Sequence, residues 1–392
     1  MKAIVTSVLL VVCFIFFNCE SESGQIITVK NNLEMPRSFE TVEISASDSV
    51  LSEGVSIKDI GVIYIKTNKV LVSQLVDTDQ DGNADVLLFQ PEIETNSQKQ
   101  YKLSKIETDE KPEVTAYCYS RFVPERTDDY TWENNKVAFR TFGPVAQKMV
   151  EDGVKGGTLS SGIDAWLKRV ETPIINKWYK RNDEKKGAYH EDIGDGLDNF
   201  HVGVSRGVGC LAAKIDTTYY VGKNFTKWQT ITTGPLRTSF VLEYANWDAN
   251  GKTISETKHI SLDYGSNLSR FEVELSGVDN IYAGLTLHEK DGVDTQNKEA
   301  GYIAYWEPHD DSELGTAIVV PNNNMISSEL FDTPVKDWSN LYANIKVNEG
   351  KVIYYAGFGW KKAKEFTSQE EWNKYLETFT LKVNNPLEVT LN

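Results

Sequence analysis

The order of apolar and polar residues predicts a mainly β protein. In LRTSFVLEY, Leu236, Thr238, Phe240, Leu242 and Tyr244 fall on one face, and in RFEVELSG, Phe271, Val273 and Leu275 alternate with Arg270, Glu272 and Glu274. A period of two is that of a half-buried strand. YAGLTLHEK, GYIAYWEP, TAIVVP, KVIYYAGFGW, FTLKVNN and LEVTL continue the series to the C-terminus. Towards the N-terminus, IITVKNN, RSFETVEIS, VIYIKTNKVLVSQLVD, DVLLFQPEI and KQYKLSKI are bounded by Asn, Asp, Gly or Ser, which close strands.

Two stretches read as helix. They are VAQKMVEDG and SSGIDAWLKRVETPIINKWYK, the second with Ile163, Trp166, Leu167 and Val170 at helical spacing and Pro173 as its end or kink. The fold class expected is all-β: a small β-sandwich over 25–112, then a large antiparallel two-sheet sandwich over 113–392 carrying a short helical insertion.

The first residues form a separate unit. Lys2 precedes an apolar run from Ala3 to Phe17, too short to span a bilayer, where roughly 20 residues are needed. Phe16-Phe17-Asn18-Cys19 resembles a bacterial lipoprotein processing site. This predicts a signal peptide over 1–18, lipidation of Cys19, and a tether over 19–24. Exported to the periplasm or the outer-membrane surface of a Gram-negative cell, the mature chain would meet the membrane only through lipid. Cys118 and Cys210 would remain, either as a disulfide or as two buried thiols.

Composition narrows the partners. The net charge of -16, with no basic patch to override it, argues against nucleic acid. Nine Trp, 18 Tyr and 16 Phe suit strands and the faces on which sugar rings stack.

Three groups of residues could carry chemistry. In DTDQDGNAD, Asp77, Asp79, Asp81 and Asp85 flank Gly82 at spacings that curl carboxylates around a hard cation, so a structural Ca2+ is one expectation. Leu88 at the twelfth position breaks the EF-hand pattern, and a hairpin without an ion is the alternative. The second group is AYHEDIGDGLDNFHVGVSRGVGC, which holds two of the five histidines: Tyr189, His190, Glu191, Asp195, Asp198, His201 and Arg206 lie among glycines that let backbones approach closely. Histidine titrates near neutrality and serves proton transfer. A zinc site of His190, Asp198 and His201 lacks any standard spacing. The third group is Arg121, Arg126 and Arg140 among acids, able to grip a carboxylate. His288, Glu289, Trp306, Glu307 and His309 are further strand-borne candidates.

RFVPERTDDYTWENNKVAFRTFGP, GIDAWLKRVETPIINKWY and YHEDIGDGLDNFHVGVSRGVG, in that order, resemble a family long labelled as a domain of unknown function. That family occurs in polysaccharide-utilisation loci and includes ulvan oligosaccharide dehydratases. Cys210 stands where a glycine is usual. The resemblance implies a hydro-lyase that removes water across C4 and C5 of the non-reducing-end uronic acid of an anionic oligosaccharide, with no cofactor required for catalysis.

Such chemistry needs a cation for the carboxylate, a base for the C5 proton and an acid for the 4-hydroxyl. Arg121, Arg126 or Arg206 would hold the carboxylate. His190, His201 and Tyr189 would divide the proton transfers with His288 in reserve, and Asp198 and Trp306 would contact substrate. Two other classes stay open: a glycoside hydrolase or mutarotase-like enzyme pairing Glu191 with Glu289 or Glu307, and a glycan-binding lipoprotein without catalysis.

Overall fold

The structure is a computed structural model that describes residues 24–47 and 57–392. The expected export signal and Cys19 lie outside the described residues. Strands dominate, in several antiparallel sheets. Strand Arg237–Tyr244 buries every second residue and Leu268–Ser276 nearly so, as their alternation predicted.

The large sandwich faces a nine-stranded sheet, running from Phe225–Thr232 at one edge to Val293–Asn297 at the other, with a five-stranded sheet centred on Asn280–Thr286. Phe240, Leu262, Phe271 and Phe358 from the first, and Leu211, Ile281, Leu285 and Leu341 from the second, join one core. The N-terminal sandwich has its own core of Ile27, Val29, Val62, Phe89 and Leu103. Its boundary is not the one expected: Glu388–Leu391 returns to pair with Gln25–Lys30, so the C-terminus completes the N-terminal sheet.

Three helices are present among the described residues: α1 (Pro144–Glu151), α2 (Ile175–Glu184) and α3 (Gln369–Asn384). The first matches its expectation. The second long helix does not: Asp164–Lys168 is a strand, buried at every residue, and α2 begins only after Pro173. A strand covered on both faces shows no alternation, so its apolar run mimics a helical face. FTLKVNN, expected as strand, is the last part of α3, whose Ser368 accepts a hydrogen bond from the Glu371 N–H as N-cap. Cys118 and Cys210 are buried free thiols.

A further five-stranded sheet positions the site. Its order is Gly196–Leu197, Asp164–Lys168, Ala138–Thr141, Asp129–Glu133, Tyr119–Val123. Tyr130, Trp132, Phe139, Ala165 and Leu167 on one face join the main core. The pairing Arg140↔Asp164 and Arg140↔Thr131 puts Asp129, Arg140 and Asp164 on the other face with Trp166 and Ala138. Trp178 and Tyr179 of α2 pack against that face. Buried Glu133 ties helix to sheet: its carboxylate accepts from the Ile174 and Ile175 N–H groups at 2.9–3.0 Å and pairs with Lys168 at 2.8 Å. It thereby satisfies donors left free by the first turn.

Candidate functional site

Three carboxylates and two guanidiniums converge on that covered face. Arg140 Nη2 lies 2.5 Å from Asp164 Oδ2 and 2.9 Å from Asp198 Oδ2, with Nη1 4.0 Å from Asp129 Oδ2. Arg126 Nη1 stands 3.8 Å from Asp129 Oδ1, and its Nε donates to the Tyr189 hydroxyl at 3.4 Å. Tyr179 donates its hydroxyl proton to Asp129 at 3.2 Å. Trp166 and Tyr189 present ring faces to the Arg140 guanidinium at 5.2 and 5.7 Å. Ions this deeply buried persist only when paired.

Two cations cannot balance three ionised acids, and the carboxyls respond. Burial, followed by repulsion from Asp198, pushes Asp164 well above the ordinary carboxylate range despite Arg140. Asp164 Oδ1 has no hydrogen-bond partner among the described residues, which leaves it free to carry a proton towards a ligand. Burial also pushes Asp129 up to about 6, against Arg140, Arg126 and Tyr179.

An acid raised in the folded state holds its proton longer there than in the unfolded chain. Its contribution to stability is therefore complete below the ordinary value of 3.8 and is lost as pH rises through about 6. Compared with Asp129→Asn, the unmodified chain should gain about 2 kcal/mol between pH 7 and pH 4. Urea titrations of both proteins across that range check the difference.

This cluster forms the floor of a cleft of about 650 Å3 whose lining includes Arg126, Arg140, Asp164, Asp198, His190 and His201. The glycine-rich segment supplies one wall. Gly196 has φ +110°, and a Cβ there would sit 2.0 Å from the Leu167 carbonyl oxygen; at Gly207, φ +60°, it would sit 1.9 Å from that of Ile163. Only glycine lets the loop lie so close to strand Asp164–Lys168 and bring Asp198 to Arg140.

Both loop histidines reach the cleft mouth, with side chains 54% and 60% exposed. His190 Nδ1 contacts the Asp198 carbonyl oxygen, which can only accept, so Nδ1 carries a proton, and in the neutral ring Nε2 is the nitrogen with the lone pair. His201 Nε2 faces Asp337 Oδ2 at 3.0 Å.

The other predicted residues divide. Tyr189 lies beneath the cleft, buried against Trp166 and Tyr179, and meets it through Arg126. Arg121 lies on the α2 side, bonded to Asn176 and Glu125 and stacked on Tyr179. Arg206 is a correction: it is 1% exposed and its guanidinium is bonded to Ser161 and to the Val204 and Leu211 carbonyls, so it is a structural cation. Trp306 is another: it is buried against the Gly315 backbone and donates to Glu313, out of reach of a sugar in the cleft. Glu191 pairs with Lys185 at the surface, whereas Glu307 is buried beside His288.

His288 lines a smaller cavity, about 420 Å3, that shares His201 and Asp337 with the main cleft. Burial disfavours its charge, but the bond to Glu307 outweighs that and its pKa is raised; burial and then His288 lower that of His309. In the N-terminal unit, Asp77, Asp79 and Asp85 do come together. Asp77 accepts from the Asp81 and Gly82 N–H groups and Asp85 from Thr78, whereas Asp81 turns towards Asn83.

Sequence reasoning missed Asp164 and Tyr179, and it left Arg140 as one arginine of three. A Lys, Arg or Asp inside an apolar strand is the signal that could have found Asp164 and Arg140, since such residues stay buried only when paired; Tyr179, on α2, carries no such signal.

A protein described as "Uncharacterized protein P7" from Formosa agariphila is 58% identical over 394 residues, covering 100% of both chains. Among solved structures, a protein in the Glycosyl Hydrolase Family 38 from Enterococcus faecalis superimposes with a TM-score of 0.50 at 10% identity over 94% of this chain. An alpha-mannosidase from Enterococcus faecalis V583 gives 0.43 at 10% identity over 94% of this chain. This chain spans 47% and 46% of those two proteins, and the likeness to the first concerns the fold alone. A family model matches residues 29–389, and the chain accordingly belongs to the family described as "Domain of unknown function (DUF4861)".

Proposed function

We propose that this protein is a carbon–oxygen lyase that eliminates water across C4 and C5 of the terminal uronic acid of an anionic oligosaccharide such as those of ulvan. The observation that carries the reading is the meeting, in one cleft, of Arg126, a histidine with a free ring nitrogen, and an Asp164 carboxyl held towards its protonated form. These are the three groups the elimination requires.

Arg126, whose side chain is 24% exposed, is the guanidinium best placed to take the substrate carboxylate, because Arg140 is already shared among three acids. Neutralising that carboxylate makes the C5 proton acidic. His190 Nε2 takes the proton, the electron pair of the C5–H bond becomes the C4=C5 π bond, and the C4–O bond breaks as Asp164 gives its proton to the departing hydroxyl. Water leaves, and proton return from His190 to Asp164 through solvent resets the site. His201, oriented by Asp337, holds the sugar at the mouth. No redox group enters this balance.

The reading includes an exported chain, tethered through Cys19 at the periplasmic or outer-membrane surface, where such oligosaccharides arrive. A uronate-ended oligosaccharide and its carboxyl-reduced counterpart, offered under identical conditions, test the role of the carboxylate. Turnover of the first alone is expected. Equal turnover of the second would overturn the reading.

A further inference from the structure

Beside the cleft, the structure brings together a second constellation that the elimination does not use. His288, two residues past strand Asn280–Thr286, and Glu307 and His309, from Tyr302–His309, offer ligand atoms that all lie within 4.8 Å of one another. Glu307 is 1% exposed, so its carboxylate is lodged in protein.

The hydrogen bonds fix which ring nitrogens are available. His288 Nε2 lies 3.1 Å from the His201 carbonyl oxygen, which can only accept; Nε2 therefore carries a proton and Nδ1, 2.5 Å from Glu307 Oε1, turns inward. His309 is hydrogen-bonded to the Asn199 backbone, while its Nε2 is buried without a partner among the described residues. Glu307 Oε2 is likewise buried without one.

A single proton between His288 Nδ1 and Glu307 Oε1 would join those two atoms. It would leave Glu307 Oε2 and His309 Nε2 unpaired, at a cost buried polar atoms seldom bear. One dication facing both imidazoles and the carboxylate accounts for all of them.

We propose that His288, Glu307 and His309 form a binding site for a transition-metal dication, with Zn2+ as the natural occupant. Two imidazoles and one carboxylate are a borderline-soft set suited to zinc, and three protein ligands leave a position for water. The surroundings are those of metal-bound histidines. Each ring donates to a backbone carbonyl through its other side, and an apolar group, Phe200, covers the site with its ring 4.6 Å from that of His288. Both backbone contacts come from the loop that carries Asn199, Phe200 and His201. The ion therefore pins the cleft wall to strand Tyr302–His309, and these three residues are positioning residues for the cleft.

This inference stands apart from the elimination reading, and its test does not read activity. The full chain, stripped with a chelator and dialysed, is titrated with Zn2+ alone by calorimetry, with amide hydrogen exchange of residues 198–204 followed in parallel. One equivalent should bind with submicromolar affinity and slow exchange in that segment. His309→Gln and Glu307→Gln should weaken binding at least 100-fold, whereas Asp77→Asn with Asp79→Asn should leave it unchanged. Absence of saturable Zn2+ binding to the unmodified chain would overturn the proposal, as would binding that persists undiminished in a His288→Asn, His309→Gln variant.

Discussion

Arg140→Met is expected to lower stability by about 3–5 kcal/mol, a large share of the roughly 5–15 kcal/mol that holds an ordinary domain folded. Methionine fills much of the volume and keeps contact with Trp166, so the loss is not one of packing. It comes from Asp129, Asp164 and Asp198, whose nearly fully buried carboxylates share this guanidinium. Asp164 already tends to hold its proton, so adding Asp164→Asn should recover little, while adding Asp198→Asn should recover a larger part. Urea denaturation of the single and double variants measures both terms. A loss below about 0.5 kcal/mol for Arg140→Met, the range of an ordinary surface change, would mean that the acids are paired by something else.

The second large effect concerns turnover. His190→Ala should reduce kcat by roughly 10²–10⁴-fold while the protein stays folded, because its side chain is half exposed and its removal breaks little beyond the contacts with Asp198 and the edge of the Tyr189 ring. Arg126→Ala should cost roughly 10²–10³-fold in kcat/KM, and Arg126→Lys should not fully restore it, since an ammonium cannot form the planar fork. His201→Ala should act more on KM than on kcat, because Asp337 holds that ring at the mouth. Steady-state kinetics with circular dichroism as a folding control distinguish the three. Full turnover in both His190→Ala and His201→Ala would make the loop structural.

Much of this was legible in the sequence. The alternation in Arg237–Tyr244 and Leu268–Ser276 survives as buried and exposed faces because those strands have one covered side. The glycine-rich loop was recognisable because Gly196 and Gly207 lie where a Cβ would collide with the backbone of the neighbouring strand region. The reading failed where both faces of a strand are covered: Asp164–Lys168 looks like a helix precisely because nothing in it needs to face water. The same burial hid the site's floor, since Asp164 sits eight residues from Thr172-Pro173 in what read as a helical stretch, and its meeting with Arg140 and Asp198 depends on strand register. The return of Glu388–Leu391 to the first strand depends on a pairing across almost the whole chain, which no local pattern announces.

The central claim, that this cleft eliminates water from a terminal uronate, is tested most directly by following uronic-acid-ended ulvan oligosaccharides with the purified chain by ultraviolet absorbance and mass spectrometry. The account predicts a rise in the absorbance of the unsaturated uronate together with loss of one water at unchanged chain length. Shorter oligosaccharides without that absorbance would contradict it and assign Asp164 and Asp198 to hydrolysis, and binding without any change in mass would contradict it in favour of a glycan-binding protein.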